Sequence, residues 1–214
     1  MAKIALLAGS TGLIGSQLLE LFLNGNQYSN VIAISRKPIS TVNPKLTNLV
    51  CELHDLSNHS DQLKADDVFC CLGTTIKKAK SKGAFRAVDL DAPLLLAKIS
   101  KEQGAKKFML VSSLGANKTS GIFYNQVKGE VEEAIRQVGF DSFHILRPSL
   151  LLGPRKEERS GEDAAKFLYK IFGFLVPKKY QGIESIKVAR AMLSFAQDDA
   201  SGNFIHESTE LQAF

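Results

Sequence analysis

Tyr124 and Lys128 stand four residues apart in a stretch, Tyr124 to Val138, whose apolar spacing predicts a helix, and Ser112-Ser113 closes the apolar run before it. Positions i and i+4 share a helix face, so a phenol and an ammonium can reach one point. Free tyrosine ionises near pH ~10 and is a poor base at neutrality, but a neighbouring ammonium favours the phenolate. Such a set suits proton transfer at a carbonyl or alcohol oxygen. Tyr124 would be the acid/base and Lys128 its electrostatic support. Ser113, or else Ser112, would donate to the oxygen as charge develops. The same residues could also be a packed aromatic, a surface lysine and turn formers, so their meaning depends on what surrounds them.

The surroundings supply a second reactant. Gly9-Ser10-Thr11-Gly12-Leu13-Ile14-Gly15 follows the apolar run Ile4 to Ala8 and leads into Leu18, Leu19, Leu21, Phe22 and Leu23. This reads as a strand, a glycine turn and a helix start. Small residues let backbone approach a pyrophosphate, and the N–H groups and dipole at the helix N-terminus favour its charge. A dinucleotide site follows, and a hydride moving between a nicotinamide and a carbonyl carbon needs a proton group such as Tyr124. The second apolar run ends in Ser35-Arg36-Lys37. An acidic residue there would accept a ribose 2′-hydroxyl. A guanidinium instead pairs with phosphate, so Arg36, helped by Lys37, predicts NADP(H) in preference to NAD(H). Asp55 could accept from the adenine amino group, with Leu56 against the ring, or could be a turn residue. Leu72-Gly73 ends the fourth apolar run, where small residues let backbone pass the cofactor's ribose and phosphates.

Strand-like runs at Ile4–Ala8, Val31–Ser35, Leu49–Leu53, Val68–Leu72, Phe108–Ser112 and Phe143–Leu146 alternate with helical patterns. Alternation of this kind predicts an α/β fold, a doubly wound parallel sheet of the Rossmann type. The helices run over Leu13–Leu23, from Ala92-Pro93 toward Gln103 with Asp91 as cap and Gly104 as stop, and over Tyr124–Val138, ended by Gly139. The 214 residues, 44% hydrophobic, suit a single domain: a dinucleotide-binding core over 1–150 and a small C-terminal cap over 151–214. The cap would hold a charged loop from Pro154 to Asp163, helices near Ala164–Phe172 and Ile186–Ala196, and a strand near Asn203–His206. It is expected over the carboxyl ends of the strands.

Lys+Arg 27 against Asp+Glu 22 gives a net charge of +5, with a cluster at Lys77, Lys78, Lys80, Lys82 and Arg86 that reads as a solvated loop. Neither nucleic acid nor membrane is expected as a partner. The three cysteines, Cys51, Cys70 and Cys71, read as buried reduced thiols, and the four histidines as satisfied or exposed; no metal site is expected. With no leader or long apolar segment, the chain is expected to be soluble and cytoplasmic.

Together these residues resemble the short-chain dehydrogenase/reductase superfamily, and the whole chain is similar to its atypical branch that includes the Tat-interactive protein oxidoreductases. The likeness rests on GSTGLIG (Gly9–Gly15), Ser35-Arg36-Lys37, CCLGTT (Cys70–Thr75), Val88-Asp89, VSSLGANK (Val111–Lys118), YNQVKGEVE (Tyr124–Glu132) and RPSLLLGPR (Arg147–Arg155). It implies that NADPH touches Ser10, Gly12, Leu13 and Ile14, carries its 2′-phosphate to Arg36 and Lys37, and passes its ribose by Leu72 and Gly73. It also implies catalytic Tyr124 and Lys128, Leu151 near the nicotinamide, and Arg159 reaching toward cofactor or substrate. Many superfamily members carry a proton-relaying asparagine where this chain has Asp89, so the relay differs or catalysis is weak. The cap is short for a nucleotide-sugar, which disfavours epimerase chemistry.

Two functions fit. One is an NADPH-dependent oxidoreductase acting on a small carbonyl or alcohol. The other is an NADPH-binding regulator that controls a protein partner with little turnover. Helices Ala92–Gln103 and Tyr124–Val138 are either a homodimer face or crossover helices of a monomer.

Overall fold

The computed structural model describes residues 3–153 and 177–214. Arg159, the helix expected near Ala164–Phe172 and the charged loop from Pro154 lie outside the described residues. Strands β1 (Lys3–Ala8), β2 (Tyr28–Ser35), β3 (Leu46–Val50), β4 (Asp67–Cys70), β5 (Lys107–Val111), β6 (Ser142–Arg147) and β9 (Gly202–Glu207) form a seven-stranded sheet in the order β3-β2-β1-β4-β5-β6-β9. All neighbouring pairs are parallel. The order reverses direction between β1 and β4, the position at which open α/β sheets bind ligands. A separate short ladder joins β7 (Leu151–Leu152) to β8 (Ile183–Glu184).

Past their first residues β1, β4 and β5 are apolar because both faces are covered, and alternate residues serve different layers. Leu6, Ile32, Val68, Phe108 and Ile145 pack under α4 (Ala92–Glu102) and α5 (Phe123–Arg136), with Leu96, Val127 and Val131. Ala5, Leu7, Val31, Phe69 and Met109 pack on the other face under α1 (Leu13–Asn24) and α6 (Ser185–Gln197), with Leu18, Phe22, Val188 and Met192. Asp67 opens β4 as a buried polar residue and is matched by the Tyr28 hydroxyl, which donates to it at 2.8 Å. Among the described residues no helix is long and apolar enough to cross a membrane.

Several expectations are corrected. The third strand begins at Leu46, not Leu49, because its pairing with β2 starts at Val31, and Leu53 opens a 3₁₀ turn instead of ending the strand. The fourth strand stops at Cys70, leaving Leu72 in the following loop. Asp91 caps nothing. Chain already helical arrives from α2 (Ile76–Ala79) and α3 (Lys82–Arg86) through a π turn at Ala87–Asp91, so Asp91 has helical angles and makes no side-chain cap bond. Pro93 has no N–H for the preceding turn, and the widened π turn lies directly before it. The basic stretch is not a loop. Thr75 and Ser81 accept N–H bonds from Lys78 and Ala84, which start α2 and α3, and Arg86 reaches Glu130 on α5 at 2.6 Å. Residues 185–207 are part of the core rather than a cap, because α6 packs beside α1 and β9 pairs with β6 over Ser142 to Arg147.

The histidines divide as expected, His54 being exposed and His144 and His206 buried in a hydrogen-bonded row. Ser142 Oγ lies 2.9 Å from His144 Nε2, His144 Nδ1 lies 2.9 Å from His206 Nε2, and His206 Nδ1 lies 2.8 Å from Glu210 Oε1. Burial and the facing His206 push the His144 pKa down to about 4.

Gly129 lies in the middle of α5, where a Cβ would sit 2.1 Å from Lys118 N. The obstacle is backbone and cannot swing away. Gly129→Ala is therefore expected to destabilise the protein by about 1–3 kcal/mol, measured by denaturant unfolding; unchanged stability would show that the loop at Lys118 yields freely.

Candidate functional site

The glycine turn is shaped by contacts that leave no room for a Cβ. Gly9 has φ +83°, and a Cβ there would lie 2.6 Å from the Cys71 carbonyl oxygen; one on Gly15 would lie 2.1 Å from the Gly9 oxygen. The loops after β1 and β4 therefore touch, and α1 starts directly against the first of them. Gly12 is the N-cap of α1 and supplies no side-chain cap, and the first turn contains no acidic residue. The N–H groups that open a helix without such a partner suit a phosphate. Ser10 is buried and its hydroxyl donates to the Ile34 carbonyl at 3.0 Å, tying the turn to the end of β2. Leu13 is half-buried, whereas Ile14 is buried in the core, so Ile14 has backbone to offer a ligand and not its side chain. A dinucleotide fits this cradle.

Arg36 and Lys37 follow β2 and are exposed. Their turn is braced from β3. Asn48 donates to Ala33 O and to Ser35 Oγ, both at 2.9 Å, and accepts from Ile39 N at 2.8 Å, while Ser35 Oγ donates to Lys37 O at 2.7 Å. Asp55 lies in the 3₁₀ turn Leu53–Gln62 with its carboxylate 3.5 Å from His54. Leu56, expected against an adenine ring, is fully buried in the core and cannot face a ligand. Leu72 is half-buried and Gly73 exposed. Leu151 lies past the end of β6 in the β7–β8 ladder, and a Cβ on nearby Gly153 would come 3.1 Å from Leu13 Cδ1, so this segment reaches the start of α1.

The buried face of α5 carries two charged residues, Lys128 and Glu132, among Val127, Gly129, Val131 and Ile135. Lys128 forms an ion pair of 2.8 Å with Asp89 of the π turn. The other Asp89 oxygen accepts the Thr74 N–H at 2.8 Å. A Cβ on Gly73 would lie 3.7 Å from Lys128 Nζ, so the ammonium sits beside the loop after β4. Burial alone would depress the Lys128 pKa, but the charge of Asp89 and then of Tyr124 outweighs it, and the net shift is upward. Tyr124, one turn earlier, is half-buried and packs against Phe85 with ring centroids 5.6 Å apart.

The two serines differ. Ser112 Oγ donates to Glu132 Oε1, and Glu132 is also clasped by Arg147, through Nε at 3.1 Å and Nη2 at 2.6 Å. Ser112 is thus occupied in fixing α5 to β5 and β6. Ser113 Oγ is buried and has no hydrogen-bond partner among the described residues. A buried hydroxyl without a partner is costly to maintain and suits a bound oxygen.

Glu132, Arg147, Gly129 and Asn48 were not singled out from sequence. Glu132 and Arg147 could have been found as opposite charges within otherwise apolar patterns, and Gly129 as a glycine in mid-helix. Of the three thiols expected to be buried, Cys70 is, while Cys51 and Cys71 are half-buried. Burial pushes the Cys70 pKa up to about 12 and that of Cys71 well above its ordinary value.

An NAD(P)H-binding family model matches residues 9–199. Protein HTATIP2 of Rattus norvegicus is 37% identical over 206 residues, covering 94% of this chain and 84% of the relative. Protein FMP52, mitochondrial, of Candida albicans is 33% identical, covering 91% and 88%. Among solved structures, the Bordetella bronchiseptica enzyme WbmH in complex with NAD+ superposes with TM-score 0.75 at 16% identity, over 97% of this chain and 76% of its own. The UDP-N-acetylglucosamine 4-epimerase from Methanobrevibacter ruminantium M1, in complex with UDP-N-acetylmuramic acid, gives 0.74 at 21%, over 96% and 76%. These two likenesses bear on the fold alone. With the glycine cradle at the switch point of a parallel sheet and a matching model over most of its length, this chain belongs to the NAD(P)H-binding family.

Proposed function

We propose that this protein is an NADPH-dependent oxidoreductase that transfers a hydride to or from a small carbonyl or alcohol substrate, with Ser113, Tyr124 and Lys128 as its catalytic set. The observation that carries this reading is the buried Ser113 hydroxyl, unpartnered among the described residues, just past the carboxyl end of β5; the buried Lys128 ammonium beside the loop after β4 and the glycine cradle after β1 support it. When bound, the nicotinamide supplies or accepts the hydride at the carbon bearing the oxygen. Tyr124 gives its proton to that oxygen in reduction and takes it back in oxidation. Lys128 favours the phenolate and holds ribose hydroxyls, and Ser113 donates to the oxygen as charge develops. The exposed Arg36 and Lys37 supply the charge that selects a 2′-phosphate, and Asp55 and Leu151 are placed toward adenine and nicotinamide in the same reading.

A regulatory role for NADPH occupancy is favoured by one observation, the carboxylate Asp89 where a relaying asparagine is expected. A screen in which no carbonyl compound drives NADPH oxidation, with a partner recovered only in the presence of NADPH, would establish that role instead. A cytoplasmic location is part of the proposal; fractionation tests it against the mitochondrial location in the names of the fungal relatives.

The first test is calorimetric titration of nucleotide-stripped protein with NADPH and with NADH. Arg36→Glu is expected to weaken NADPH binding about tenfold or more with a much smaller effect on NADH. Equal loss of both removes Arg36 from the selectivity role. Tyr124→Phe should leave NADPH affinity nearly unchanged and lower turnover of a substrate found by screening by about 10²–10⁴; retained turnover excludes it as the acid/base. Ser113→Ala should reduce turnover at unchanged stability, while Ser112→Ala should lower stability by about 1 kcal/mol. Thermal melts and rates measured side by side separate the two serines.

A further inference from the structure

Lys128 is 6% exposed and faces a carboxylate that is wholly buried, so the pair is sealed from water. A lone ammonium in such a place loses its proton more easily, because desolvation penalises the charged form. Three titratable groups act on it from the surrounding elements: Asp89 from the π turn, Tyr124 from its own helix and Cys70 from β4. Asp89 is the carboxylate among them. Its two oxygens face different partners, Oδ1 the ammonium and Oδ2 the Thr74 N–H, which links the lysine to the Gly73–Thr74 loop. An asparagine in this place could keep the loop contact through its carbonyl oxygen but would bring no charge.

We propose that Asp89 is a positioning residue that holds Lys128 permanently cationic beside the Gly73 loop, so that the lysine presents a constant charge to the cofactor's ribose and to the Tyr124 phenol. This rests on the reading of Lys128 as the group that holds the nicotinamide ribose. The carboxylate does not touch cofactor or substrate and acts through the lysine. The π turn is the local device that delivers it, since Asp89 lies at its centre.

The ligand-free protein tests the first half of this. Lysine side chains labelled with ¹³C are followed by NMR against pH, and the Lys128 signal is identified by its absence in Lys128→Met. In the unsubstituted protein the signal should keep its ammonium position through the ordinary lysine range, and in Asp89→Asn its midpoint should fall by about one pH unit or more. The second half is read from the ratio of NADPH affinities of the two proteins, in which the titration of the 2′-phosphate cancels. That ratio should be near unity at about pH 6 and rise severalfold once the pH passes about one unit above the variant lysine's midpoint, as that lysine loses its proton. An unmoved lysine midpoint, or a loss of affinity independent of pH, would overturn the proposal. If Asp89→Asn does not fold, the double variant Asp89→Asn/Lys128→Met should fold, because the unmatched charge is gone; an unfolded double variant would overturn it too. Absence of NADPH binding by the unsubstituted protein would refute the cofactor reading, and the lysine titration would still decide the role of Asp89.

Discussion

An ammonium taken out of water must meet a counter-charge or give up its proton, and the site is organised around the place where α5 meets that demand. Lys128 on the buried face of the helix is matched by Asp89, and one turn later Glu132 is matched by Arg147 at the end of β6. Between them Gly129 lets the helix backbone press against the backbone at Asn117 and Lys118. One buried and one half-buried charge pair flank one close contact. Removing a single partner from such a pair strands the other charge, so the helix cannot slide or rotate without large cost. Tyr124 is carried on the same rigid piece.

The opposite wall of the site depends on backbone rather than charge. The loops after β1 and β4 approach so closely that the Gly9 and Gly15 positions have no space for a side chain, and the start of α1 is left without a cap. The first N–H groups of a helix find no partner within it, and with no side chain capping them here they suit a phosphate. The site thus combines a wall of free backbone donors with a wall of compensated side-chain charge. Ser113 sits at the end of β5 with a hydroxyl that its neighbours do not use, while Ser112 beside it is absorbed into the Glu132 network.

Sequence made the sheet, its three main crossover helices and the glycine turn legible, because apolar periodicity and glycine placement are local signals. It misplaced β3 by three residues because the register there is set by pairing with β2, which no local pattern reports. The Asp91 cap failed for a similar reason: a cap requires that no helix precede it, and here α3 and the π turn run straight in. The pairing of Lys128 with Asp89, and of Glu132 with Arg147 and Ser112, joins residues distant in sequence; the topology alone brings them together. Reading the C-terminal stretch as a cap treated its position after the core as a position outside it, whereas its strand found an open edge at β6.

On one side of β1 the sheet is laid down in chain order: β4, β5, β6 and then β9, each adding to the edge left by the one before. During synthesis β6 therefore stands as a bare, hydrogen-bonding edge until residues 202–207 have emerged. Edges of this kind invite pairing with other chains. The protection of β6 is supplied last, by a strand whose inward histidine, His206, joins the hydrogen-bonded row that runs from buried Ser142 to exposed Glu210. That row gives the final strand a polar register key. A slip by one residue would turn His206 away from His144 and break the contact between the two rings, so the closing strand carries a polar check on its register.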